Sequence, residues 1–240
     1  TILRLTFSRC IVLGPDAESV ALAWRFPGVS DKDFEILQVV SQVLYNGKAG
    51  LIDLDLNQQQ KVLNSYGYPM GLADYSAFIL GGLPKQGQTL EEVKDLLLNE
   101  IKKLRAGEFD EKMLQANINN FKLYELQSME SNEGRADIFV NSFINGTNWE
   151  DEVTAIDRMA KLTKEDIVAF ADKYLKEDNY AVVYKKQGKD PNEKKMTKPE
   201  ITPIVSNRDV ASPFLTSIQE NAVKPIEPVF LDFKKDMSQL

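Results

Sequence analysis

Along residues 18–26, the large apolar side chains Val20, Leu22, Trp24 and Phe26 alternate with Ala21, Ala23 and Arg25. A period of two sends successive side chains to opposite faces. The run therefore predicts a strand with one large-residue face and one small or polar face. A shorter apolar run over 2–7 predicts a strand before it, and Gly14-Pro15-Asp16 supplies the turn between the two. From Ser30 the period changes to that of a helix, with Phe34, Leu37, Val40 and Leu44 on one stripe. Ser30 and Asp33 have the spacing of a capping box, and Asn46-Gly47 stops the run. A short helix is expected over 49–56, then strands over 61–68 and 75–80, the second ended by Gly81-Gly82-Leu83-Pro84.

The next elements are mainly helical. Thr89 and Glu92 form a second capping box ahead of a stripe of Leu90, Val93, Leu97, Ile101 and Leu104, and Gly107 stops it. A long helix is expected from Asp110 to about Gln127 through Met113, Leu114, Ile118, Phe121 and Tyr124. Another covers about 132–143, and a short one 149–159. Thr163 and Asp166 cap a last helix through Ile167, Phe170 and Tyr174, and 180–184 reads as a returning strand. Strands first, then helices, then a strand predict an α+β fold: an antiparallel or mixed sheet with helices packed on one face. Most of the ten prolines lie at or beyond Pro191. This places one domain over 1–188 and an extended linker over 189–240, with one short helix near 214–220.

Composition narrows the chemistry. The 240 residues are 43% hydrophobic and 27% charged, enough for a sizeable core, and the net charge is −7. An acidic surface without basic-aromatic clusters repels phosphate backbones, so no nucleic acid partner is expected. The Lys-rich stretch 185–198 is interrupted by acids and turn formers and reads as solvated. No run reaches the ~18 apolar residues that a membrane span needs. The sequence starts at Thr1 and its first methionine is Met70, so it is expected to be a piece of a longer chain.

The chain has no histidine and one cysteine, Cys10. A Ser-His-Asp triad, a Cys-His pair, an H-E-x-x-H zinc helix and a cysteine zinc knuckle are all excluded. Cys10, with no histidine to activate it, is expected to be a buried or half-buried inert thiol. Asp53-Leu54-Asp55-Leu56-Asn57 imitates the start of a calcium loop. Gln58 then stands where glycine is needed and Asn64 where a bidentate Glu is needed, which leaves a solvated helix face. Most of the carboxylate pairs Glu91/Glu92, Glu130/Glu133 and Glu165/Asp166 are expected in helix first turns, where they favour the positive dipole end. Asn145-Gly146-Thr147 matches a glycosylation sequon and also makes a turn. No catalytic, cofactor-binding or metal residue is assigned.

Several segments, in this order and spacing, resemble the insulinase/pitrilysin zinc peptidases, also called inverzincins: VALAWRFPG from Val20, NGKAGLIDLDL ending at Leu56, TLEEVKDLLLNEIKKLRAGEFD from Thr89, ESNEGRADIFVNSF from Glu130 and LTKEDIVAFADKYLKEDNYAVVY from Leu162. The resemblance runs from about residue 15 to about 220. It implies the mitochondrial-processing-peptidase-like fold and, within it, the second, non-catalytic domain of the N-terminal half. The H-x-x-E-H zinc site would then lie in an upstream catalytic domain, with a C-terminal half downstream and peptide as substrate. The resemblance further implies a chamber wall that helps hold extended peptide, in which a sheet edge could add a peptide strand. The alternative is a non-catalytic scaffold or partner subunit. Bacterial relatives of this type imply an exported, periplasmic address. Lys61 and Tyr68 have the spacing of a substrate-contacting Arg/Tyr pair in the family's other half, but read better as a strand surface pair, because Lys lacks arginine's fork. Gly50-Leu51-Ile52 stands where short family members carry Ser-Arg-Leu.

Overall fold

In the computed structural model, large side chains line one side of the β2 strand (Ser19–Pro27). Val20, Leu22, Trp24 and Phe26 are buried there, while the residues between them are half-buried. The structure describes residues 8–191, 197–204, 210–221 and 225–228. The chain divides into two compact units, Thr1–Glu193 and Lys194–Leu240. In the second, among the described residues, the one regular element is the helix α8 (Pro213–Glu220), capped by Ser212 with Pro213 in its first turn.

The first unit holds a five-stranded mixed sheet in the order β1-β5-β2-β4-β3. Besides β2 it contains β1 (Ser8–Gly14), β3 (Asn64–Met70), β4 (Tyr75–Leu83) and β5 (Ala181–Gln187). The β1–β5 pair is parallel; β5–β2, β2–β4 and β4–β3 are antiparallel. The helices are α1 (Lys32–Leu44), α2 (Leu90–Arg105), α3 (Lys112–Met129), α4 (Asn132–Asn145), α5 (Trp149–Val153), α6 (Ala155–Met159) and α7 (Lys164–Tyr174). A π-helical turn spans Asp53–Asn57.

The core lies between the sheet and α1, α2 and α7. Leu37, Val40 and Leu44 of α1, Val93, Leu97 and Leu104 of α2 and Ile167 and Phe170 of α7 close over the large face of β2. Phe26 stacks on Phe170 at 5.7 Å between ring centroids and tilts against Tyr174 at 4.8 Å. Each fully buried large side chain contributes roughly 1.5–3 kcal/mol, so the alternation that defines β2 also makes it the main hydrophobic plank. The Trp24 indole N–H donates to the Lys176 carbonyl at 3.3 Å, which gives the buried ring its polar partner.

The predicted architecture stands, with local corrections. The strand expected over 2–7 lies outside the described residues, and the first observed strand begins at Ser8. Cys10 sits on this edge strand and is exposed, not buried. The cap of α1 is Asp31, not Ser30: its carboxylate accepts from the Asp33 amide at 2.8 Å. Asp33 is thereby released to reach α7, accepting from Lys173 Nζ at 2.8 Å and from the Tyr174 hydroxyl. Burial, reinforced by that carboxylate, pushes the Tyr174 phenol up to about 12. The two predicted capping boxes, Thr89/Glu92 and Thr163/Asp166, are both formed.

The helix expected over 149–159 is broken at Thr154. Its hydroxyl donates to the Glu150 carbonyl at 2.6 Å and accepts from Arg158 at 2.5 Å, a local bonding pattern that competes with the helix. β4 does not stop at Gly81-Gly82 but runs through both. A Cβ at Gly82 would lie 2.5 Å from Val93 Cγ1, so glycine here lets α2 approach the strand. A Cβ at Gly81 would meet the Tyr66 ring at 2.4 Å. The 49–56 helix is a tighter knot than expected. Gly50 packs against the end of α1, where a Cβ would lie 2.6 Å from the Leu44 carbonyl oxygen.

Two predictions follow from this packing. Gly82→Ala should cost about 1–3 kcal/mol in a chemical denaturation curve, because backbone and helix must separate in a filled core. Gly81→Ala should cost less, because the half-exposed Tyr66 ring can swing away. The second prediction concerns Lys103, which bridges the buried Glu100 at 2.9 Å and Asp55 at 2.5 Å. Burial pushes the Glu100 carboxyl up against the pull of Lys103, while the hydrogen bond from Lys103 holds Asp55 below its ordinary range. A raised carboxyl weakens the fold as pH rises through its folded value, and a lowered one strengthens it above the unfolded range. Lys103→Met should therefore cost about 2 kcal/mol near pH 7, and less as the pH is lowered and Glu100 takes a proton. Adding Glu100→Gln should recover part of the loss.

Candidate functional site

The face of the sheet opposite the helices is the candidate surface. Cross-strand register decides which side chains meet there. Ala21 lies opposite Gly81 and Val183, Ala23 opposite Ile79 and Ala181, and Arg25 opposite Ala77. On β3, Tyr66, Tyr68 and Met70 continue these rows. The centre is a floor of alanine and glycine with Ile79 among them, and the rim carries Tyr68, Met70, Tyr75 and Val183, all exposed. Tyr66 and Tyr68 stack at 6.1 Å. A shallow groove of about 260 Å³ runs over Ala23, Ala77 and Ala181 between Met70, Leu72 and Tyr75, and its lining is almost entirely apolar. Arg25 closes one end, its guanidinium carbon 3.7 Å from the centre of the Tyr75 ring.

The edge beside this face is partly closed. Asn57, at the end of the π-helical turn, donates its amide N–H to the Ser65 carbonyl at 2.8 Å and accepts from the Ser65 backbone N–H at 2.8 Å. It also accepts from the Ser65 hydroxyl at 2.9 Å. A side-chain amide thus occupies the place of a neighbouring strand. Backbone groups in a strand alternate direction, so Gly67 and Pro69 share the outward side with Ser65. Proline has no N–H to offer. The β3 edge, one of the two sheet edges at which a peptide strand could add, is left with Gly67 as its one unclasped outward donor among these three positions.

The other sequence candidates have structural roles. Asp53, read as part of a solvated face, is instead buried and accepts from the amides of Asn46 at 2.9 Å and Gly50 at 3.0 Å. Asp55 is held by Lys103. Lys61 precedes β3 and its carbonyl accepts from Gln88 at 3.0 Å, so Lys61 and Tyr68 do not share a strand. Glu92 and Asp166 close their capping boxes, and Glu91 pairs with Lys94 at 2.5 Å. Glu130 and Glu133 flank the α3–α4 junction, and Glu165 lies in the first turn of α7. Asn145-Gly146-Thr147 forms the end of α4, with Gly146 in the left-handed region at φ 64°. Sequence reading missed Asn57, Tyr75 and the role of Arg25. The alternation of β2 did put Arg25 on the small-residue face, but its partners depend on register.

Among the described residues no three of His, Cys, Asp and Glu come together as a metal site, and none of the helices is long and apolar enough to cross a membrane. The donor set does not fit zinc: there is no imidazole in the chain and its one thiol stands alone. The first unit is thus a one-sided α+β sandwich. Residues 5–121 match the family model of the peptidase M16 inactive domain. The chain is similar to the zinc protease PqqE of Helicobacter pylori, with 27% identity over 178 residues, which are 72% of this chain and 39% of that protein. A crystal structure of a protease from Helicobacter pylori superposes with a TM-score of 0.71 at 21% identity, over 76% of this chain and 45% of that one. An inactive peptidase domain from Bordetella parapertussis superposes with a TM-score of 0.63 at 17% identity, over 77% of this chain and 96% of that one. The chain thus resembles, over just under half of its length, the peptidase M16 inactive domain, and it spans less than half the length of the first two relatives.

The Asn57 clasp is testable. Asn57→Ala should lower stability by about 1–2 kcal/mol, since Ser65 loses its partners. It should also raise the tendency to self-associate through the freed edge, read by light scattering against concentration. Unchanged stability and unchanged scattering would mean that the clasp does nothing for the edge.

Proposed function

We propose that this chain forms a wall of the substrate chamber in a longer zinc metallopeptidase, and that its open sheet face meets extended peptide. In this reading residues 1–188 are the wall and 189–240 the connector toward a C-terminal half. An upstream domain of the same exported, periplasmic parent holds zinc in an H-x-x-E-H motif. The observation that supports it is the asymmetry of the sheet. One side is filled by helices, while the other offers a half-exposed floor of small residues between tyrosines. Such a floor leaves clearance for side chains of a chain lying across it, and tyrosines supply amphipathic contact area.

A second reading is a scaffold or partner subunit, and the α3–α4 hairpin favours it. Phe139 stacks on Trp149 at 4.4 Å, and Phe143 beside it is 88% exposed, an apolar surface of the kind that docks another protein. Photo-crosslinking separates the two. With p-benzoylphenylalanine at Tyr68 or at Leu123 on α3, the chamber reading expects capture of casein peptides at Tyr68 well above Leu123, and about one zinc per parent chain. No preference between the positions, with a zinc-free parent that co-purifies with another protein, would replace it with the scaffold reading.

A further inference from the structure

We propose that Arg25 and the adjoining alanine-floored groove form a receptor for an acidic side chain and an apolar side chain two positions apart in an extended peptide. The inference rests on the chamber-wall reading and names the peptide class that the face would take.

The first observation concerns the arginines. Among the described residues, Arg9 reaches Glu91, Arg105 reaches Asp172, Arg158 reaches Glu35, and Arg135 reaches the Met129 carbonyl and the Asn132 side chain. Arg9 also lies over a ring, that of Tyr184, but has Glu91 as well; the guanidinium of Arg25 lies over Tyr75 with no carboxylate or carbonyl beside it among the described residues. That contact uses the flat face of the fork and leaves its N–H edge directed away from the ring, available to an acceptor. A carboxylate is the group that matches this edge bidentately, and partial desolvation beside an apolar groove strengthens the match.

The second observation is spacing. Arg25 and Ala23 are alternate residues of β2 and point to the same face. Alternate residues of a strand are about 6.8 Å apart, which is also the repeat of side chains on one side of an extended peptide. A peptide lying along β2 with its acidic group on Arg25 places the side chain two positions away over the Ala23, Ala77 and Ala181 floor. That groove, about 260 Å³ and almost wholly apolar, has room for a leucine or phenylalanine. Edge addition is not needed, which agrees with the clasp of Asn57 on Ser65.

The test is fluorescence anisotropy of the 240-residue chain with a fluorescein-labelled peptide, Gly-Ser-Thr-Asp-Thr-Phe-Thr-Ser-Gly. The Asp→Asn peptide should bind wild type about 10-fold more weakly, as loss of one half-buried charged contact implies. On Arg25→Gln the two peptides should bind alike. Arg25→Lys should keep only part of the preference, because the charge remains but the fork is lost. Ala23→Leu, which fills the groove, should remove the advantage of Phe over Gly at the sixth position while leaving the Asp preference. Equal binding of the Asp and Asn peptides to wild type would overturn the proposal and leave the chamber reading standing. So would equal weakening of both by Arg25→Gln. No measurable binding of either peptide, together with no preferential capture at Tyr68, would remove both.

Discussion

The structure depends on the one-sided burial of β2. This strand pairs with β5 on one side and β4 on the other, and its large residues Val20, Leu22, Trp24 and Phe26 are sealed by helices. A slip of one residue would turn all four to the open side and bring Ala21, Ala23 and Arg25 under α1, α2 and α7. The cost of that slip is several buried aromatic and aliphatic side chains at once. Register is therefore fixed across the whole sheet, and with it the set of small residues that meets on the far side.

The helix ends show how local chemistry serves that arrangement. Thr89 and Thr163 cap α2 and α7 with their own boxes, so both helices start where their apolar stripes face the sheet. The cap on α1 falls at Asp31, which lets Asp33 tie the start of α1 to Lys173 and Tyr174 of α7. The buried carboxylates Asp53 and Glu100 are held in small closed sets. Asp53 binds the amides of Asn46 and Gly50, and Glu100 is neutralised by Lys103.

Much of the fold was legible in the sequence because its signals are periodic and local. The alternation in β2, the stripes of α1, α2 and α7 and the two threonine caps all act within a few residues. What was not legible depends on contacts between distant segments. The glycines at 81 and 82 read as a terminator, yet they continue a strand because Tyr66 and Val93 press against it. Asp55 read as part of a solvated helix face, and its tie to Lys103 spans 48 positions. Arg25 was visible on the small face of β2, but the Tyr75 ring beneath it and the alanines beside it come from other strands. For the same reason Asn57 could not be read as the guard of β3: its partner Ser65 is reached only after the π-helical turn folds back.

The alanines of the open face carry a cost that the core does not impose. Alanine is a weak strand former beside valine, isoleucine or threonine. Ala21, Ala23, Ala77 and Ala181 nonetheless occupy three adjacent strands, all inside the sheet. Among the described residues of the first unit no helix packs on them to demand a small residue, so β-branched replacements would have strengthened the strands. The face gives up conformational preference in exchange for depth. Stability and clearance can thus be varied independently at these positions, and the tolerance of each for a bulkier residue separates what the fold requires from what a chain lying on the face would require.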